Sequence, residues 1–117
     1  MKSYNNKGNW GELFASQFLE KKDYKIIRRN YKTKYGEIDI ICRQNNLIIF
    51  VEVKMRSVPD YLKACDSISV SKMDKIRKAA SLFLNEIDEP GAVCRFDVIF
   101  VFGNKNKNEL YHIENAF

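Results

Sequence analysis

The sequence predicts an α/β domain, a mixed β-sheet flanked by helices in the order αβββαβ with a small β addition. Two segments carry apolar residues at helical spacing. Three extended segments joined by short turns lie between them, and a nearly continuous apolar run near the end is typical of a central strand covered on both faces. The 117 residues, 45% of them hydrophobic, fit one domain over residues 1–117 that folds around its own core.

The first half of the chain contains the first helix and three strands. Apolar residues recur at helical spacing from Trp10 to Leu19, and Glu12 is expected in the first turn, where the helix dipole favours an acid. Glycine at positions 8 and 11 indicates close approach of the backbone to another element. The extended segments that follow are the predicted strands Tyr24–Lys32, Glu37–Arg43 and Leu47–Lys54. Because short turns at 34–36 and 44–46 join them, we expect an antiparallel meander.

The second half begins with a predicted loop over residues 57–69, in which Pro59 acts as a breaker. Ser71 is then expected to cap a helix that has one apolar face. That face comprises Met73, Ile76, Ala79, Ala80, Phe83 and Leu84. The predicted central strand is Phe96–Phe102, which is followed by a polar turn at 103–108 and a short edge strand at Leu110–Ile113.

The composition indicates which class of partner the protein binds and which cellular compartment it occupies. Lysine and arginine number 20 against 15 aspartate and glutamate, a net charge of +5 that suits a polyanionic partner such as nucleic acid. The three cysteines, Cys42, Cys65 and Cys94, form no Cys-x-x-Cys pair, and His112 is the only histidine. This pattern argues against a zinc site and a disulfide framework and indicates a reducing compartment. No apolar run is long enough to span a membrane, so we expect a cytoplasmic protein without a membrane partner.

Acidic residues and one lysine alternate with hydrophobic residues in two of the predicted strands. Side chains two apart on a strand point to the same face, so Glu37 and Asp39 are expected to share a face, as are Glu52 and Lys54. Charges set among branched and aromatic residues are costly to bury unless a partner or a metal compensates them. The pattern therefore predicts a functional site.

Asp39 and Glu52 lie on consecutive predicted strands, which are about 4.8 Å apart in a paired sheet. If their faces coincide, the two carboxylates can chelate one Mg²⁺, a hard cation that prefers a few carboxylates and keeps several waters. Lys54 would then stand beside the ion, where it would orient or help deprotonate the attacking water or stabilise charge in a phosphorane-like transition state. Glu12 would complete the metal shell if the end of its helix packs on the sheet.

The same residues also have an ordinary structural interpretation. A Glu-x-Lys pair on one strand face is commonly a solvated salt bridge worth less than about 1 kcal/mol. We expect Glu37 to lie at the rim of the site or to form a structural salt bridge. For Asp97, which follows Arg95 by two residues, a structural capping or pairing role is an equal alternative to catalysis.

The acidic strands belong to a set of motifs that runs along essentially the whole chain. These are Gly8-x-x-Gly11-Glu12-x-x-Ala15, Asn30-Tyr31-Lys32, Gly36-Glu37-Ile38-Asp39-Ile40-Ile41, Phe50-Val51-Glu52-Val53-Lys54-x-Arg56, Val70-Ser71-Lys72-x-x-x-Ile76-Arg77-x-Ala79-Ala80, Arg95-Phe96-Asp97-Val98 and His112-Ile113-x-Asn115-Ala116-Phe117. With them the chain resembles the YraN family of small bacterial proteins. More broadly it resembles the PD-(D/E)XK nuclease superfamily, which has the restriction-endonuclease-like fold, and within it the Holliday-junction resolvases.

The resemblance implies a Mg²⁺- or Mn²⁺-dependent endonuclease that hydrolyses phosphodiester bonds in DNA, with branched or junction-like DNA as a candidate substrate. It implies that Asp39 and Glu52 bind the metal, that the carbonyl of Val53 helps to do so, and that Lys54 is catalytic. A first-helix glutamate in the position of Glu12 joins the site in the resolvase branch. Since resolvases act as symmetric dimers, a homodimer is expected here by analogy alone.

Basic residues near the acidic strands are the candidates for phosphate contacts. We expect such contacts from Arg56, Lys72 and Lys75, although each lysine also fits a solvated helix face. A second basic patch comprises Lys21, Lys22, Lys25, Arg28 and Arg29, and the tyrosines that either stack on splayed bases or simply pack are Tyr31, Tyr35 and Tyr61. Two alternatives to a nuclease stay open: a nucleic-acid-binding accessory protein without turnover, and a structural interaction domain whose acidic cluster is held in salt bridges.

Overall fold

The computed structural model describes residues 7–56, 68–104 and 107–117, which form two helices and five strands. In chain order these elements are α1 (Lys7–Lys21), β1 (Lys25–Thr33), β2 (Gly36–Gln44), β3 (Leu47–Arg56), α2 (Val70–Ile87), β4 (Val93–Asn104) and β5 (Lys107–Ile113). The predicted αβββαβ order is confirmed, with β5 as the additional strand. Within the described ranges, neither helix is long and apolar enough to cross a membrane.

The strands form one mixed sheet in the order β1-β2-β3-β4-β5. The first three make the predicted antiparallel meander, and Asn45, with a φ of 57°, supplies the left-handed backbone of the turn between β2 and β3. The helix α2 carries the chain back across the sheet, so β4 runs parallel to β3, and β5 returns antiparallel to β4. This α/β architecture is consistent with a restriction-endonuclease-like core.

The two helices cover opposite faces of the sheet. Val51 of β3 packs in a cluster with Leu19 of α1, whereas its neighbour Phe50 packs with Ile76 and Phe83 of α2. Since neighbouring residues of a strand point to opposite faces, the helices form the outer layers of an α/β/α arrangement. Each fully buried side chain of this kind stabilises the fold by about 1.5–3 kcal/mol, and β3 is therefore firmly anchored between both layers.

The helix α1 begins earlier than predicted, at Lys7 instead of near Trp10. Glu12 consequently lies in the second turn, and the prediction that it would meet the helix dipole in the first turn was wrong. The expected close approach is confirmed at Gly11: the Met55 side chain of β3 fills the position that a Cβ on Gly11 would occupy. A glycine inside a helix costs about 1 kcal/mol, but here it lets α1 sit directly on the end of β3.

The helix α2 begins at Val70, so the predicted cap at Ser71 was wrong. The cap is Ser69, whose backbone is extended (φ −77°, ψ 159°) and whose hydroxyl accepts a hydrogen bond from the Lys72 N–H at 3.1 Å. The predicted apolar face is confirmed at its centre, where the buried residues are Ile76, Ala79, Ala80 and Phe83. Most of the predicted loop before α2, residues 57–67 with Pro59, Tyr61 and Cys65, lies outside the described residues.

The last two strands are longer than predicted. β4 extends through Gly103 to Asn104, and β5 begins at Lys107, so their paired register includes residues that the sequence assigned to a polar turn. Gly103 has a φ of 120°, which bends the strand while Asn108 remains paired with it. The longer pairing fixes where the end of the chain returns to β4.

Candidate active site

The candidate site lies where β2 and β3 part. Backbone pairing of the two strands extends as far as Ile40, which lies opposite Val51. At the next position a side chain takes the place of a backbone acceptor, because Oδ2 of Asp39 accepts a hydrogen bond from the Val53 N–H at 2.8 Å. This hydrogen bond holds the Asp39 carboxyl group against β3, next to Glu52.

The regular alternation of β2 breaks at Asp39. Ile38 belongs to the cluster under α2, whereas Ile40, two residues on, belongs to the cluster under α1. Residues two apart share a face in a regular strand. The expectation that Glu37 and Asp39 share a face assumed this regularity, which is interrupted at Asp39. Glu37 lies opposite Lys32 in the β1–β2 register, a position that fits the structural role expected of it.

The carboxyl groups of Asp39 and Glu52 lie close enough for the proton on one to bond to the other. Burial is the main cause that raises the pKa of Asp39, to about 9, and the hydrogen bond to Glu52 and the negative charge of Glu52 raise it further. The Val53 N–H acts in the opposite direction, and the charge of Glu12 adds a smaller increase. The raised pKa means that the Asp39 carboxyl group keeps its proton at neutral pH.

Two lysines from different elements reach Glu52, whose side chain is only 4% exposed. The Nζ of Lys54 lies 3.5 Å from Oε2 of Glu52, which confirms that these two residues share a face of β3. The Nζ of Lys72, in the first turn of α2, also lies 3.5 Å from the same oxygen. The sequence indicated Lys72 as a phosphate contact only, since its approach to Glu52 depends on how α2 docks against the sheet.

The helix α1 brings Glu12 to the same place. The contact of Gly11 with Met55 sets α1 against the carboxyl end of β3. Glu12 is then close enough to Asp39 for its charge to raise the pKa of that residue. The expected packing of this helix end near the site is confirmed, and the role of Glu12 as a metal ligand stays a prediction.

The oxygen donors of the site fit a hard divalent cation. Asp39 and Glu52 supply two carboxyl groups, and the Val53 carbonyl faces β2 because the N–H and C=O of one strand residue point to the same edge. Among residues 7–56, 68–104 and 107–117, no three His, Cys, Asp or Glu side chains are grouped closely enough to hold a metal ion alone. Mg²⁺ commonly takes one or two carboxylates and completes its shell with water and phosphate oxygens, and Mn²⁺ accepts the same ligands. The donor set therefore suits these ions.

The other predicted phosphate-binding residues lie around the carboxyl pair. Arg56, at the end of β3, donates from Nη1 to the Met55 carbonyl at 2.7 Å. Lys75 is exposed one turn after Lys72 on α2, and its Cβ is 3.9 Å from the position that a Cβ on Gly36 would take. The phosphate contacts expected of these residues stay predictions.

A second buried acid, Asp97 of β4, is fully compensated. Arg95 donates two hydrogen bonds of 2.8 Å to its carboxylate, His112 Nε2 lies 2.7 Å from Oδ2, and the Asn115 N–H donates at 3.0 Å. Burial would raise the pKa of Asp97, but these hydrogen bonds outweigh it and lower the pKa. The structural pairing with Arg95 is confirmed. His112 is buried in this network and does not lie on the surface, which only the β4–β5 register reveals.

Comparisons with known proteins match nearly the whole chain. A family model described as "Uncharacterised protein family UPF0102" matches residues 11–101. A UPF0102 protein of Sulfurihydrogenibium sp. (strain YO3AOP1) is 43% identical over 111 residues, which cover 95% of this chain and 93% of the relative. A UPF0102 protein of Desulfosudis oleivorans is 44% identical over 110 residues, covering 94% and 88%. One from Nitrosomonas europaea is 38% identical over 119 residues, covering 100% and 98%.

Proposed function

The chain belongs to the UPF0102 or YraN family, and from its site we propose that it is a metal-dependent endonuclease that hydrolyses phosphodiester bonds in DNA. Family membership by itself supplies no activity. The proposal rests on one observation: the partly buried carboxyl group of Asp39, held against β3 by the Val53 N–H, lies beside the buried Glu52 carboxylate that Lys54 and Lys72 both reach. The resemblance to Holliday-junction resolvases adds branched or junction-like DNA as the preferred substrate.

The closeness of the two carboxyl groups favours a bound cation in the working enzyme. A divalent cation that replaced the proton on Asp39 would be held by Asp39, Glu52 and the Val53 carbonyl, with Glu12 nearby. When bound, Mg²⁺ or Mn²⁺ supplies a water of lowered pKa and neutralises phosphate charge. The protein itself fixes the carboxyl groups in place, because Asp39 is tied to the backbone of β3.

The two lysines provide the positive charge that phosphodiester hydrolysis needs near the reacting phosphate. Lys54 and Lys72 approach Glu52 from β3 and from α2, on either side of one carboxylate oxygen. A phosphate that enters beside Glu52 offers both ammonium groups a second anionic partner. Lys54 is then placed to orient the attacking water or to stabilise charge in the transition state, and Lys72 to hold a non-bridging oxygen.

The test is a cleavage assay with labelled single-stranded, duplex and four-way DNA in the presence of Mn²⁺ or Mg²⁺. We expect cleavage that requires the metal, that is strongest on branched DNA, and that is lost in Asp39→Ala, Glu52→Ala and Lys54→Ala. Glu20→Ala, which removes an exposed acid near the end of α1, is the matched control and should cut like the wild type. Cleavage that survives in Glu52→Ala or Lys54→Ala would overturn the proposed mechanism.

One observation favours a second candidate, a nucleic-acid-binding protein without turnover. Glu52 already has two ammonium partners, so its charge is balanced without a metal, as in a protein that binds DNA and does not cut it. Calorimetry separates the two candidates, since the nuclease must take up Mn²⁺ and the accessory protein binds DNA without doing so.

Light scattering with and without a four-way junction would test the homodimer that a resolvase requires.

A further inference from the structure

A groove lies between α2 and the edge strand β1. It has a volume of about 610 Å³ and is lined mainly by consecutive residues of β1, together with Leu82 and Glu86 of α2. The β1 residues that line it are Arg28, Arg29, Asn30, Tyr31, Lys32, Thr33 and Lys34. Four of these seven side chains are cations, and all four are exposed.

One flank of α2 connects this groove to the carboxyl pair. The residues Lys72, Lys75, Lys78, Leu82 and Glu86 follow one another at intervals of three or four, which places them along one side of the helix. Lys72 contacts Glu52 at the inner end of the flank, and Leu82 and Glu86 line the groove at its outer end. Lys75 and Lys78 lie between them, so positive charge is continuous from the site to the groove.

The acids along this path do not cancel its positive charge. Its cations are Arg28, Arg29, Lys32, Lys34, Lys75 and Lys78, and its acids are Glu37, Asp74 and Glu86. Glu86 accepts a hydrogen bond from the Tyr31 hydroxyl at 2.8 Å and pairs with Arg28 at 3.3 Å. Asp74 pairs with Lys78 at 3.4 Å on the helix surface. The surplus of cations suits a ligand with regularly spaced negative charges.

The turn between β1 and β2 adds an aromatic ring to the path. The ring of Tyr35 has the Nζ of Lys34 at 5.2 Å and the Nζ of Lys78 at 5.8 Å from its centroid. Proteins that bind unpaired strands combine cations for the phosphates with aromatic rings for the bases, and a base that stacks on Tyr35 takes the place of an ammonium group that then contacts phosphate. Bases in a duplex are already stacked and cannot use such a ring.

We propose that the α2–β1 groove, with Tyr35 at its entrance, binds an unpaired nucleic-acid strand that continues outward from the carboxyl pair. The strand's phosphates contact Lys34, Lys75 and Lys78, and one base stacks on Tyr35. The inference deepens the proposed nuclease by assigning it a substrate with an unpaired strand next to the cleavage point, as at a branch or flap. The groove inference rests on the proposed nuclease function only in placing strand cleavage at Asp39 and Glu52.

Binding without cleavage tests the groove. We would measure fluorescence anisotropy of a labelled single strand and of a matched duplex, in EDTA, over a range of KCl concentrations. Lys34→Gln/Lys78→Gln should weaken single-strand binding and lower the slope of log K against log[KCl] by about 1.4, since each phosphate contact contributes about 0.7. The control Arg77→Gln removes an exposed cation from the opposite flank of α2, where Arg77 lies over the rings of Phe96 and Phe117, and should leave both quantities unchanged.

The aromatic part is tested by Tyr35→Ala against Tyr35→Phe. The alanine variant should bind the single strand about fivefold or more weakly, and the phenylalanine variant should bind like the wild type because it keeps the ring. Duplex binding should change little in either variant.

Three outcomes would overturn the assignment: no wild-type binding at low salt, equal binding by the groove variants and the wild type, or equal loss for duplex and single strand. Binding that depends on the groove in a protein that cuts no DNA would support the groove and reject only the nuclease.

Discussion

Two aspartates of this sheet, the buried Asp97 and the partly buried Asp39, have opposite electrostatic surroundings. Asp97 of β4 receives hydrogen bonds from Arg95, the His112 ring and a backbone N–H, and its pKa is lowered although the side chain is fully buried. Asp39 of β2 receives one backbone N–H and otherwise faces another carboxyl group, and its pKa is raised. One acid has all the partners it needs within the protein, and the other does not.

The difference separates a structural acid from a functional one. A buried charge that is paired and hydrogen-bonded holds the fold together, as Asp97 does by tying the chain end at Asn115 to β4. A buried acid that lacks compensation costs stability, and such costs are found where a site is prepared for a ligand. Asp39 and Glu52 are therefore the pair in the described part of this sheet at which a bound cation would stabilise the fold most.

The largest expected effect is the loss of the compensated acid. Asp97→Ala leaves Arg95, His112 and the Asn115 N–H without their common acceptor, so we expect the free energy of unfolding to fall by about 3–5 kcal/mol in urea denaturation. Asp74→Ala, which removes a surface acid paired with Lys78, is the control and should leave the urea midpoint nearly unchanged. If Asp97→Ala fails to fold, Asp97→Asn, which keeps an acceptor, should fold with a smaller loss. Equal stability of Asp97→Ala and the wild type would contradict the structural role.

The uncompensated acid should respond in the opposite direction. Asp39→Asn keeps an oxygen for the Val53 N–H and offers an amide N–H to Glu52 in place of the proton on Asp39. We expect the free energy of unfolding in EDTA at neutral pH to rise by about 1–3 kcal/mol, together with loss of Mn²⁺ uptake in calorimetry. A clear destabilisation by Asp39→Asn would contradict the view that this acid is strained.

Much of this comparison could be predicted from the sequence. The hairpin between two apolar strands was enough to put Asp39 and Glu52 on neighbouring strands, although whether their faces coincide stayed open. Period-two alternation was enough to put Lys54 on the same face as Glu52. These are local relations, set by strand geometry and a short turn, which act over a few residues of chain.

The rest depends on contacts between distant parts of the chain. Lys72 reaches Glu52 only because α2 docks on that face of the sheet, and His112 reaches Asp97 only in the observed β4–β5 register. The break of alternation at Asp39 arises where β2 leaves β3, which no periodic pattern in the sequence contains. Cap positions were also missed, because Ser69 and Ser71 are equivalent candidates until the first turn of α2 is placed.

The pH dependence of stability should distinguish the two acids. The raised pKa of Asp39, about 9 against an ordinary value of about 4, means that the folded state holds more protons than the unfolded state in this window. Stability in EDTA should therefore fall as pH rises from about 4 to about 9, by at most about 1.4 kcal/mol per pH unit. The lowered pKa of Asp97 has the opposite sign: its contribution is present above about pH 4 and is lost as pH falls through the folded value.

Urea denaturation of the wild type and of Asp39→Asn across this range is the measurement. In Asp39→Asn the free energy of unfolding should not fall as the pH rises from about 4 to about 9. Its fall below about pH 4 should be the same in both proteins. If the free energies of unfolding of the two proteins change with pH in parallel above about pH 4, Asp39 is not protonated in the folded protein at neutral pH.

The smallest expected effect concerns Glu12, whose charge acts on Asp39 from α1. Glu12→Gln removes one of the causes that raise the pKa of Asp39, so that pKa should fall, and by less than it falls in Glu52→Gln, which removes both the charge and the carboxyl hydrogen bond. Carboxyl carbon chemical shifts followed by NMR during a pH titration in EDTA measure this directly. Glu20→Gln, on the exposed side of the same helix, is the matched control and should leave the Asp39 titration where it is. An unchanged Asp39 titration in Glu12→Gln would remove Glu12 from the site. A shift as large as that of Glu52→Gln would instead place the Glu12 carboxylate in the same cluster as Asp39 and Glu52. Glu12 would then be a stronger candidate for the third metal ligand than its position in the second turn of α1 indicates.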